Sequence, residues 1–430
     1  MAAWLTNFYD QPTAPISEDR ISITGGASQN LACLLQVFTD PAYTRNVWVV
    51  APAYMLAFRI FDDSALKLRA IPEDEEGIDI EYLRRQIKKS EEKAQAQSKN
   101  DEPIKPQRPW SKFYRHVIYA VPTFSNPSFK TMTLRRREEL VRLAREFDAL
   151  IITDDVYDFL QWPASLAAKT LTLEKAILPR IVDVDRYLDG GAQREGADGF
   201  GNAASNGSFS KIAGPGLRTG WCEGTPKLAF GVSQTARSTN ELKIVAKIDN
   251  DPPSVKTVDV VTVVQVDQVL TATFLAETLA SGDLQRHVYE TLQPSYGRRY
   301  QRIVTAINKE LIPLGARLPQ TDRDVVGGYF IWLTLPSGLE SAVVVQRAKE
   351  EENVVVAQGE IFEVPGDTEY PGTHFENDIR LCFAWEEEDV LAEGIERLAR
   401  VIRTLQNEQQ DGGAQPPMQH ATEDSAKNFW

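Results

Sequence analysis

Between residues 21 and 211 the chain alternates short β-branched runs with helical periodicity, and this alternation constrains the fold most. Val47-Trp48-Val49-Val50 and Val117-Ile118-Tyr119-Ala120-Val121 are unbroken apolar runs, the pattern of strands buried on both faces. Leu140, Val141, Leu143, Ala144 and Phe147 mark one face of an Arg- and Glu-rich helix over 134–147. Ala149-Leu150-Ile151-Ile152 follows as a strand that ends at Thr153-Asp154-Asp155. Strand, helix, strand in this order predicts the α/β class, with a mostly parallel sheet sandwiched by helices. Ligands of such sheets sit at the carboxyl ends of the strands, where Asp154 falls.

After Lys211 the organisation changes. Residues 272–311 read as helical with an interruption around Pro294; strands are expected at 327–333, 354–357 and 379–383, and a helix at 390–405. That outline predicts a smaller α+β domain over 286–405, beside a large domain over 1–285. The charged stretch 88–112, with Pro103, Pro106 and Pro109, reads as a solvated loop, and the polar stretch 406–430 as a disordered tail.

Charge and cysteine usage narrow the function classes. A formal net charge of -14 argues against nucleic acid as a partner, because phosphate backbones call for an excess of Lys and Arg. Cys33, Cys222 and Cys382 are widely spaced, which fits a reducing compartment better than a disulfide framework. The four histidines show no metal-ligand spacing, so no metal is expected. No secretory signal opens the sequence, and the most apolar stretch, 47–61, is broken by Pro52 and Arg59. A cytoplasmic protein without membrane contact is the expectation.

Three local features carry chemistry. Ser208-Phe209-Ser210-Lys211, followed by Gly214, Gly216 and Arg218, reads either as an anion cradle beside a nucleophilic amine or as an ordinary charged loop. Asp154-Asp155-Val156-Tyr157 could bind a metal, pair with a cation or cap a helix. Ser125-Asn126-Pro127-Ser128 is by itself a turn.

Taken together and in this order, with Ile379-Arg380 downstream, the three features resemble the fold-type-I aminotransferases of class I/II that use pyridoxal 5′-phosphate (PLP). The closer likeness is to 2-aminoadipate and kynurenine aminotransferase-like enzymes. The likeness spans roughly residues 4–405 and is most specific at 121–127, 151–157, 207–221 and 327–333. It implies a large PLP-binding domain and a ping-pong transfer of an amino group between an amino acid and a 2-oxo acid. Lys211 would form the internal aldimine, Asp154 would pair with the pyridine nitrogen, and Tyr157 and Asn126 would bond O3′. Ser208, Ser210 and Arg218 would hold the phosphate, together with Gly26, Ala27 and Ser28 at a helix N-terminus. Tyr54 would stack on the ring, and Arg380, with Asn126 nearby, would grip the substrate α-carboxylate.

The sequence departs from the family pattern in places. Trp4 to Tyr9 resembles the end of the helix just before the phosphate loop, so the arm that relatives lay across a partner subunit is expected to be missing. Residues 236–269 form an atypical insertion, and Asn126-Pro127-Ser128-Phe129 replaces the usual Asn-Pro-Thr-Gly. A homodimer is expected. The alternative functions are other PLP carbanion chemistry, as in a lyase, decarboxylase or synthase, and a catalytically impaired PLP-binding protein.

Overall fold

The structure, a computed structural model, describes residues 1–9, 15–96, 102–240, 271–319, 323–366 and 373–411. Its centre is an eight-stranded sheet built from β1 (Ile21–Thr24), β2 (Asn46–Ala51), β3 (Leu68–Asp74), β4 (Gly77–Ile78), β5 (His116–Ala120), β6 (Ala149–Asp154), β8 (Ala203–Ser208) and β9 (Gly220–Glu223). The order is β1-β9-β8-β6-β5-β2-β3-β4. The five strands β3, β2, β5, β6 and β8 run parallel, and β9 and β4 are antiparallel to their neighbours.

Period-two alternation divides the strand side chains between two cores. Val47, Val49, Val117, Tyr119, Leu150 and Ile152 enter one core, against α2 (Ala27–Phe38), α3 (Leu56–Asp63) and α7 (Pro226–Asn240). Trp48, Val50, Ile118, Ala149 and Ile151 enter the other, against α4 (Ile80–Ala96), α5 (Leu134–Glu146) and α6 (Ile181–Tyr187). Each fully buried aliphatic side chain contributes about 1.5–3 kcal/mol over exposure, which explains the absence of charge in these runs. A third core joins α1 (Ala2–Tyr9) and the turn around Phe159 to the helices that follow residue 271.

A second sheet of three antiparallel strands, in the order β11-β13-β12, is formed by β11 (Phe330–Thr334), β12 (Ala357–Gln358) and β13 (Asp378–Cys382). Helices Gln293–Glu310, Ser341–Glu352 and Glu388–Gln410 cover it through Ile303, Ile307, Val344, Leu398 and Ile402. Between the sheets a ribbon pairs β7 (Gln161–Pro163) with β10 (Val325–Gly327).

Several expectations need correction. Residues 88–96 continue α4 instead of opening a loop: Ile80, Leu83, Ile87 and Ala94 make a narrow buried stripe that the surrounding charges hide. The interruption near Pro294 is a π-helical stretch, His287–Leu292, and Pro294 sits in the first turn of the α-helix that continues from it. The expected strand at 327–333 splits at Gly328 and Tyr329 into β10 and β11. Of the strand expected at 354–357 only Ala357 pairs, as the start of β12. Gln406 to Gln410 belong to the last helix, where the Gln406 and Gln409 side chains bond the Leu314 and Gly338 carbonyls; 412–430 lie outside the described residues. In the insertion expected at 236–269, residues 236–240 end α7 and 241–269 lie outside the described residues.

Candidate active site

The candidate residues leave the carboxyl ends of adjacent parallel strands. Tyr54 follows β2, Asn126 follows β5, Asp154 ends β6, and Lys211 follows β8 at the end of a single turn, Phe209–Lys211. Asp155 to Phe159 form turns, not a helix, so the two acids do not serve as a helix cap.

Asp154 is the electrostatic centre. The Tyr119 hydroxyl donates to its Oδ2 at 3.2 Å, and its Oδ1 is buried without a hydrogen-bond partner among the described residues. Burial first, and then the neighbouring Asp155 carboxylate, push the Asp154 carboxyl up to about 7; the Tyr119 bond and Lys211 pull the other way. Asp155 itself points into a buried polar network, accepting from Thr153 Oγ1 at 2.7 Å and Ser205 Oγ at 2.5 Å.

The Lys211 Nζ lies 5.8 Å from the Tyr157 ring centroid and 5.2 Å from that of Tyr329. Burial lowers its pKa; Asp154 and Cys382 oppose that shift, and the Arg380 charge reinforces it. A partly desolvated amine of this kind has its neutral, nucleophilic form within easier reach of neutral pH.

Arg380 reaches across from β13. Its Nη1 donates to Asn126 Oδ1 at 2.8 Å, and its Cζ lies 3.9 Å from the Phe330 ring centroid and 4.7 Å from that of Phe362. Two aromatic faces hold the guanidinium in place, and its buried Nε has no hydrogen-bond partner among the described residues. Burial, with the Asp154 charge beside it, pushes the Tyr54 phenol up to about 12, and burial raises the Tyr157 phenol further.

The other end of the site is the N-terminus of α2. Gly26 caps that helix with φ 109°, a conformation that disfavours any side chain, and Ala27 and Ser28 open it. The Arg218 Nη2 lies 3.9 Å from where a Gly26 Cβ would be, so the guanidinium adjoins the helix end. The approach of β9 depends on small residues: a Cβ on Gly220 would meet the Gly207 carbonyl oxygen at 2.5 Å and the Gly26 Cα at 3.0 Å. Ser208 Oγ donates to Ser210 Oγ at 3.0 Å and accepts from the Ser210 N–H at 3.1 Å. Asn206, from β8, donates to the Ala27 carbonyl at 3.1 Å and accepts from Asn30 at 2.8 Å, fixing α2 to the sheet.

Sequence reasoning missed Tyr119, Asn206 and Tyr329. The two tyrosines sit in runs that read as buried strand, where only the polar tip distinguishes them from core.

These residues suit a phosphorylated pyridine aldehyde. The orphaned Asp154 oxygen lacks the donor that a protonated pyridine nitrogen would bring, Lys211 offers an amine, and the α2 terminus with Arg218 offers an anion site.

Comparison with known proteins agrees. The family model for aminotransferase class I and II matches residues 1–398. An uncharacterized protein of Saccharomyces cerevisiae is 32% identical over 394 residues, covering 90% of this chain and 79% of that protein. Aromatic-amino-acid aminotransferase 1 of Thermococcus litoralis is 27% identical over 407 residues, covering 94% and 76%. Among solved structures, the kynurenine aminotransferase of Pyrococcus horikoshii, in complex with PMP, matches with a TM-score of 0.65 and 27% identity over 94% of this chain and 79% of that one. The resemblance read from the sequence is thereby borne out: the chain belongs to the aminotransferase class I and II family, and its reaction is the PLP-dependent transfer of an amino group.

Proposed function

We propose that Lys211 carries the cofactor, that Asp154 holds its ring nitrogen, and that Arg380 binds the substrate α-carboxylate, in a ping-pong exchange between an amino acid and a 2-oxo acid. The observation that carries this reading is the buried, unpartnered Asp154 Oδ1 in a site shared with the Lys211 amine. PLP, when bound, supplies an aldehyde for the amine and a ring that accepts the electrons left when the α-proton departs.

The chain's own residues do the rest. The α2 N-terminus, Ser208, Ser210 and Arg218 bind the phosphate, and Tyr54, Tyr157 and Asn126 orient the ring. Arg380 fixes the donor by its carboxylate, which brings the Cα–H toward Lys211 Nζ. Lys211, its amine made less basic by burial, takes that proton. The mutually packed rings of Tyr157, Tyr329 and Phe330, together with the aromatic and kynurenine substrates named for the relatives, support a donor with an aromatic side chain.

Residues 1–285 and 286–405 would act as large and small domains in a cytoplasmic homodimer serving amino acid metabolism, including biosynthesis. A donor screen coupled to 2-oxoglutarate or pyruvate tests the substrate reading, and light scattering tests the assembly. Faster turnover of small aliphatic donors than of aromatic ones would overturn the former.

A further inference from the structure

Tyr329 sits where the two sheets meet. It follows Gly327 and Gly328, which link the β7-β10 ribbon to β11 of the small sheet. A Cβ on Gly327 would come within 2.1 Å of the Leu160 carbonyl oxygen, and Gly328 has φ 79°, so the backbone here follows one narrow path. The Gly328 N–H donates to the Leu160 carbonyl at 2.9 Å, fixing the large-sheet side of the joint.

From this joint Tyr329 bonds in two directions. Its carbonyl accepts from the Phe383 N–H at 3.1 Å, at the end of the strand that carries Arg380. Its hydroxyl donates to the Lys211 carbonyl at 3.0 Å and lies 3.3 Å from the Tyr296 hydroxyl. Lys211 ends a single helical turn, where carbonyls have no partner within the turn. The ring that delivers this hydroxyl also faces the Lys211 ammonium at 5.2 Å.

We propose that Tyr329 is a positioning residue for Lys211: backed by Tyr296, it ties the lysine-bearing turn to the small sheet that carries Arg380. Seating a carboxylate on Arg380 and aiming the Lys211 amine then become linked through one side chain. The inference rests on Lys211 being the cofactor lysine. Tyr329 performs no proton transfer; it fixes the point from which the lysine side chain starts, and its ring adds to the field around the amine.

The test uses the cofactor-loaded protein. Y329F keeps the ring and removes the hydroxyl. Absorbance titration from neutral to alkaline pH reads protonation of the nitrogen that joins Lys211 to the cofactor, and steady-state kinetics separates kcat from KM. The expected result is a displaced absorbance midpoint and a kcat lower by about tenfold, the scale of one hydrogen bond. KM for the donor should change by less than about twofold. Y296F should move midpoint and kcat the same way by less, and the Y296F/Y329F double variant should be no worse than Y329F, since Tyr296 acts through Tyr329.

An unchanged midpoint and kcat in Y329F overturns the proposal. A change confined to KM also overturns it, because Tyr329 would then be only a wall of the substrate pocket. Should Y329F fail to fold, Y296F decides alone by the same two readings. Failure of the underlying reading is seen separately: the wild-type protein would then hold no cofactor on Lys211.

Discussion

The Tyr119 hydroxyl donates to one oxygen of Asp154 at 3.2 Å, and the other oxygen is buried and unpartnered among the described residues. In the cofactor-free protein this carboxyl titrates above the usual carboxylate range. Its pKa is pushed up to about 7 by burial and by Asp155, whereas an unfolded Asp titrates near about 3.9. Between those values the folded chain binds a proton that the unfolded chain does not, so this group destabilises the fold progressively as pH rises through the window. Urea unfolding of cofactor-free wild type and D154N, compared from acid to neutral pH, should show wild type losing stability relative to D154N as pH rises. Y119F should carry this relative loss on to higher pH, because the lost hydrogen bond favours the ionised form. A wild type that gains stability relative to D154N over this range would contradict the assignment.

Loss of Arg380 should appear in substrate binding. Its guanidinium is held by Asn126 and two aromatic rings, a rigid fork suited to a carboxylate. R380A should raise KM for the amino donor by about 10- to 100-fold, the scale of a charge-assisted hydrogen-bond pair. R380K should recover little, since an ammonium cannot reproduce the fork. Initial-rate kinetics over a range of donor concentrations gives the answer, provided that cofactor occupancy is equal.

Cofactor affinity should respond to the anion end of the site. R218A removes the guanidinium beside the α2 N-terminus and should weaken binding of PLP by about 10-fold or more, with less dependence on salt than in wild type. G26A puts a side chain at φ 109° and should cost about 1–3 kcal/mol in strain, seen as a lower thermal midpoint together with weaker cofactor binding. Fluorescence titration with PLP measures both affinities.

Stability beneath the site depends on Arg180. It is fully buried, pairs with Asp183 at 2.9 Å and Glu223 at 2.7 Å, and lies 3.8 Å from the Tyr9 ring centroid. R180A would leave Asp183 buried without its cation and Glu223 with only Arg20 at 3.7 Å, and should cost about 3–5 kcal/mol. A midpoint of chemical unfolding within error of wild type would show that the network is dispensable.

Much of the fold was legible because the parallel strands are buried on both faces, which forces unbroken apolar runs such as Val47-Trp48-Val49-Val50. Lys211, Asp154 and Arg380 could be singled out as candidates because their neighbours in sequence carry a family pattern. Tyr119 and Tyr329 were not. Their hydroxyl partners lie 35 and 118 residues away, and nothing local separates such a tyrosine from a core aromatic. The helical part of 88–112 was hidden for a related reason: Ile87 and Ala94 anchor it, while Glu91 bonds His116 of β5 and Arg45 just before β2.

The central claim is that Lys211 is the residue to which the cofactor is joined. Protein loaded with PLP, reduced with borohydride, digested and mapped by mass spectrometry should carry the phosphopyridoxyl mass on the peptide containing Lys211. K211A treated in the same way should carry none. The mass on another lysine in wild type, or its persistence in K211A, would contradict the account.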